Sequence, residues 1–117
     1  MRAADGGAER LADLVAYQPD AIVSRVLAKS TGGNVTLFAF AAGQELSEHT
    51  SPMEALLHVV EGNAEVDIGG TAHAVATGEV IRLPPHVPHA VRAAGPFKML
   101  LILLREPAPR AGIASPA

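Results

Sequence analysis

From position 21 onward the chain is a succession of short β-branched and apolar runs, each broken after a few residues by Gly, Asn or Pro. Runs of this kind read as strands rather than helices. The runs fall at roughly 21–29, 34–41, 45–50, 54–61, 64–68, 71–76, 79–83, 88–93 and 97–104. Turns are predicted at Thr31-Gly32-Gly33-Asn34, Glu61-Gly62-Asn63, Gly69-Gly70 and Ala94-Gly95-Pro96. Gly69-Gly70, between VDI and TAHAV, reads as a two-residue hairpin, because the favoured turn needs positive φ at both central positions. Many short strands at this spacing predict a sandwich or barrel, hence an all-β fold.

Ahead of the strands, residues 8–17 place Leu11, Leu14 and Val15 at helical spacing, and Pro19 ends the pattern. This predicts an N-terminal extension over 1–20 with a short amphipathic helix, a barrel over 21–105, and a Pro/Ala-rich unstructured tail over 106–117. At 117 residues there is room for one core and not two. Two strands are apolar on both faces. In 97–104, Phe97, Met99, Leu101 and Leu103 share one face, while Leu100, Ile102 and Leu104 share the other. In 54–60, Leu56 and Val60 lie opposite Leu57 and Val59. A barrel has one inside, so the second face predicts either a second subunit, hence a homodimer, or packing of the N-terminal helix.

The absence of cysteine excludes a disulfide framework, a thiol nucleophile and a zinc ribbon, and leaves any metal to His, Asp or Glu. A net charge of −3 without a Lys/Arg cluster gives no footprint for nucleic acid or for an anionic membrane. The longest strongly apolar run, 99–104, is far short of a bilayer span, and nothing at the start reads as a signal peptide; a cytoplasmic protein is expected. No Gly-x-Ser-x-Gly elbow or phosphate loop is present, and no catalytic residue is assigned.

Five histidines stand at 49, 58, 73, 86 and 89. The spacing Gly43, five residues, His49, with a closing Gly62, together with Gly78, Pro84 and His89, resembles the two sequence motifs of the cupin family. The likeness runs over roughly residues 35–104. The first motif reads His49-Thr50-Ser51-Pro52, as in small stand-alone cupins with His-[Ser/Thr]-x-Pro in place of His-x-His. The resemblance implies a small jelly-roll barrel in which two first-motif histidines, a glutamate and a second-motif histidine hold a divalent metal such as iron, manganese, nickel or zinc. Here Ser51 stands at the second histidine position and Ala55 at the glutamate position, while His86 and Ala93 replace the glycine and asparagine of the second motif.

What remains of such a site is His49 and His89 on facing strands, with Glu54 or His86 as a third ligand and water completing the shell. Glu54 is one residue out of phase and can serve only if a bulge re-aims it. His58 has the parity of Glu54 but lies about 13 Å further along the strand, so it reads as an interface residue. His73, beside a hairpin, reads as solvated. A pocket lined by Phe38, Phe40, Ser51, Met53, Leu57, Phe97 and Met99 would take a small molecule. Three functions follow: a binding barrel with a divalent cation at His49 and His89, a metal-dependent oxygenase or isomerase, or a metal-free dimerisation and ligand-sensing unit.

Overall fold

The computed structural model describes residues 7–105, and the expectation for 106–117 lies outside them. Nine strands form, each within two residues of its sequence expectation: β1 (Ile22–Ser30), β2 (Gly33–Phe40), β3 (Glu45–His49), β4 (Glu54–Glu61), β5 (Asn63–Ile68), β6 (Thr71–Ala76), β7 (Val80–Leu83), β8 (His89–Arg92) and β9 (Phe97–Leu104). All pairings are antiparallel, in a five-stranded sheet of order β1-β2-β9-β4-β7 and a four-stranded sheet of order β3-β8-β5-β6. Gly69 and Gly70, both at positive φ, make the hairpin that pairs Ile68 with Thr71. Gly62 also sits at positive φ, and a Cβ there would lie 2.6 Å from the Pro96 carbonyl oxygen, so this turn admits no side chain.

The two sheets share one core. Phe40, Ala55, Leu57, Val59, Phe97 and Met99 come from the larger sheet, and Ala64, Val66, Val75 and Val91 from the smaller. This is the jelly-roll barrel that the strand pattern and the motif resemblance predict.

A second cluster lies on the outer face of the larger sheet, where Leu14 and Val15 are buried with Leu37 and Ala39, flanked by Leu11, Val23, Leu27, Val60 and Leu100. The N-terminal segment therefore covers part of the second apolar face. Its helix is only a 3-10 turn, Leu11–Leu14, and Val15 is already extended. The apolar spacing identifies the residues that bury, but side-by-side burial of Leu14 and Val15 draws the backbone out along the sheet. Polar anchors complete the attachment: Lys98 Nζ donates to the Ala12 carbonyl at 2.6 Å, Arg25 to the Leu14 carbonyl at 3.0 Å, and the Tyr17 hydroxyl to Glu61 at 2.6 Å.

Candidate functional site

The site is built at one end of the smaller sheet by a break in strand regularity. Leu46 of β3 pairs with Val91 of β8, and His49 pairs with His89, so β3 spends three residues where β8 spends two. Strict alternation would turn His49 away from the face that Leu46 occupies. The extra residue, a β-bulge at Ser47 and Glu48, turns it back to join His89. His49 and His89 are thus cross-strand neighbours within one sheet, not residues of facing strands as the sequence suggests. His89 is 7% exposed and pairs on its other side with Ile68; His49 is exposed.

Their nitrogens converge. Nε2 of His49 lies 3.2 Å from Nε2 of His89, with the rings edge to face at 71°. His49 Nδ1 stands 2.7 Å from the Ser47 carbonyl, inside the bulge, and His89 Nδ1 stands 3.2 Å from the Val87 carbonyl. A carbonyl only accepts, so each Nδ1 is the donor in its contact, and in the Nδ1–H tautomer that this favours the Nε2 lone pairs of the two rings face each other. Two lone pairs meeting in this way call for a shared proton or a cation. Two metal–nitrogen bonds of about 2.0–2.1 Å at a tetrahedral angle would set the nitrogens about 3.3 Å apart, close to the separation found. Burial pushes the His89 pKa below the ordinary imidazole value; its bond to Val87 opposes the shift and the neighbouring His49 adds to it.

The other candidate ligands do not join this pair. Glu54 is ion-paired with Arg82, and it has the parity of Leu56 and His58 on the outer face. The irregularity in β4 comes only beyond Val59, too late to turn it inward. His86 is exposed at φ +65, a left-handed conformation that explains why the family motif has glycine at this position. Its N–H donates to the Ser51 carbonyl at 2.8 Å, which ties the loop before β8 to the segment after β3. Ser51 Oγ accepts from the Met53 N–H at 3.1 Å. Ala55 is buried between Leu83 and Leu103. Among the described residues no group of three or more His, Cys, Asp or Glu could hold a metal ion.

The pocket expectation changes too. Phe40, Leu57, Phe97 and Met99 have no exposed surface, and Phe40 stacks on Phe97 at 4.5 Å; they are packed core, not an open lining. Phe38 is half-buried, as are Ile68, Leu101 and Leu103, which pack at the margin of the same core. Of these, sequence reasoning missed Ile68 as a neighbour of the site; the register that opposes it to His89 would have been the signal. His73 is exposed, and His58 is half-buried on the outer face.

A two-sheet jelly roll with a histidine from each of two spaced motifs at one end defines a class, and the sequence profile of the cupin domain family matches residues 36–103. The chain belongs to that family. It is 30% identical over 92 residues to protein SchB of Streptomyces halstedii, which covers 77% of this chain and 67% of the relative. Among solved structures it is similar to the SPY1581 protein of unknown function from Streptococcus pyogenes, with a TM-score of 0.83, 32% identity, and 87% and 90% of the two chains covered. A cupin superfamily protein, DSY2733, from Desulfitobacterium hafniense DCB-2 gives a TM-score of 0.81 at 30% identity over 84% and 90%. No helix among the described residues is long and apolar enough to cross a membrane.

Proposed function

We propose that this cupin is a small-molecule-binding barrel whose recognition centre is the imidazole pair of His49 and His89, with a divalent cation held between their Nε2 atoms. The observation that carries this reading is the anchoring of both Nδ1 atoms on backbone carbonyls, which aims two lone pairs at one point. The donor chemistry fits a cation at two positions, and iron, manganese, zinc or nickel all accept imidazole. Such an ion, held by His49 and His89, would act as a Lewis acid toward a ligand oxygen. The chain's own residues fix the two rings and shield one of them. Phe38, Ile68, Leu101 and Leu103 offer apolar contact at the core margin. Arg25, Arg82, Arg92 and Lys98 are all engaged on the outward faces, so the strands bring none of these cations to the site, and an uncharged ligand suits it best.

A second reading is favoured by Ala55 and Ser51, which stand where the family places two further ligands. In it no metal binds, and a hydroxyl of the ligand donates directly to one bare Nε2. An oxygenase or isomerase would need the cation and belongs to the first reading. The test is the metal content of protein purified without chelators, then reconstituted, alongside His49→Ala and His89→Ala. About one ion per chain, lost in both variants, is expected. No ion even after reconstitution would leave the metal-free reading, and an ion retained by both variants would refute the placement of the site.

A further inference from the structure

Short connections join β2 to β3, β4 to β5, β6 to β7 and β8 to β9, and these partners stand in matching order in the two sheets. The strands β2-β9-β4-β7 therefore lie over β3-β8-β5-β6, about 10 Å away, and β1 overhangs. Depth in the sandwich follows from the connections. His49 lies four residues from the start of β3, and Thr36 four residues from the end of β2; His89 lies three residues from the end of β8, and Leu100 three from the start of β9. The imidazole pair thus stands level with the paired residues Thr36 and Leu101. Thr36 and Asn34 share the face of Phe38 and Phe40, and Leu101 and Leu103 share that of Met99, so all four turn toward the interior. The next inward row beyond the histidines is Asn34 with Leu103, about 7 Å further along the strands.

A bulge brings a cation to this row. β1 pairs Val26 with Thr36 and Ala28 with Val35, so Leu27 is extra and Lys29 falls opposite Asn34. Regular alternation from Ile22, which packs on the core, would leave Lys29 on the outer face. The extra residue turns it inward, as the bulge of β3 turns His49. Lys29 is exposed and makes no hydrogen bond or ion pair with the described residues.

Asn34 is the more enclosed of the two. It is half-buried, and its Oδ1 accepts from Thr36 Oγ1 at 3.1 Å, on a residue that is only 9% exposed. With the oxygen held in this way, the two hydrogens on Nδ2 have no partner among the described residues. A fixed donor beside the apolar wall of Leu103, one row out from two imidazoles, is the arrangement that orients a small ligand.

We propose that the Asn34 carboxamide, with Lys29 at the rim, is the second polar contact for the ligand of the histidine pair. The ligand is then a short uncharged molecule with two oxygens, one meeting the imidazoles or their cation and one, a carbonyl, accepting from Asn34 about 7 Å away. This inference rests on the histidine-centred reading above. A carbonyl is favoured over a carboxylate because a half-buried amide would have to strip a charge of its water. The Lys29 ammonium, standing in solvent, returns little Coulomb energy for that loss.

The probes are para-hydroxybenzamide and para-cresol, which share a phenol suited to the imidazoles; only the first carries a carbonyl across the ring. Both are titrated into isotope-labelled protein, with and without zinc, and followed by nuclear magnetic resonance. Both should move the His49 and His89 imidazole signals, and only para-hydroxybenzamide should move the Asn34 side-chain amide signals. It should also bind about tenfold more tightly than para-cresol. Asn34→Leu, similar in size and without donors, should erase that preference, and Lys29→Met, at an exposed position, should reduce it about twofold. Responding imidazoles with a silent Asn34 amide, or a folded Asn34→Leu that keeps the preference, would overturn the proposal and leave the histidine-centred reading standing. Imidazoles silent to both probes would overturn the two together. Tighter binding of para-hydroxybenzoate than of the amide would overturn the uncharged ligand class.

Discussion

His89 owes its chemistry to being buried and neutral, while its partner His49 stands in solvent. The folded chain resists protonating His89, whereas the unfolded chain accepts a proton near the free imidazole value of 6.5. The unfolded state therefore binds more protons on the acid side. The contribution of this residue to stability is full above 6.5 and declines as pH falls below it. Cation binding should weaken over the same range, since a proton competes for Nε2. Thermal midpoints recorded from about pH 8 to about pH 5 should fall for the wild type and fall less for His89→Gln. Equal slopes would mean that other groups set the acid limb. At this scale the sequence was half legible. The paired motif spacing singles out His49 and His89, because the positions are set by strand and turn lengths. The choice between Glu54 and His86 as helper was not readable: Arg82, far off in sequence, claims Glu54, and a left-handed backbone at His86 serves the loop.

At the scale of elements, the bulge in β3 does two things. It brings His49 to the side of Leu46 despite their odd spacing, and it folds the Ser47 carbonyl back onto Nδ1. Deleting Glu48 separates the two roles. The shortened strand regains regular alternation, so the histidine still faces its partner on β8, but a regular strand cannot bring the carbonyl two residues back onto the ring. Loss of this orienting contact is expected to weaken cation binding about 10–100-fold without abolishing it, with the barrel still folded by circular dichroism. Unchanged affinity in a calorimetric titration would show that the carbonyl plays no part. Strand existence was legible here because Gly, Asn and Pro mark each boundary. The bulge was not, since 45–50 reads as an ordinary strand and only its pairing with β8 reveals the extra residue. The expected N-terminal helix shrank to one turn because the sheet, not helical propensity, decides how Leu14 and Val15 bury.

Across the whole molecule, the larger sheet is sandwiched: barrel core on one side, N-terminal segment on part of the other. Lys98, only 8% exposed, is tolerable on that outer face because its ammonium reaches the Ala12 carbonyl and lies 4.9 Å from the Tyr17 ring centroid. Leu14→Ala should cost about 2–3 kcal/mol in urea denaturation, at the low end for a leucine that packs on one side only. It should leave cation binding unchanged, because the segment and the histidine pair belong to different faces of different sheets. A loss of binding with retained fold would mean that the two are coupled. Sequence pattern disclosed the doubly apolar strands, yet what covers them depends on contacts some eighty residues apart, such as Lys98 with Ala12, which no local pattern carries.

The central claim is that both Nδ1 atoms hold their hydrogen on backbone carbonyls while both Nε2 atoms are free to bind. Long-range proton–nitrogen correlation spectra of the imidazoles, recorded as zinc is added, read this directly. Nδ1–H on both rings, with both Nε2 signals moving together to saturation, is the expected result. Nε2–H on both rings, and no response to zinc, would contradict it.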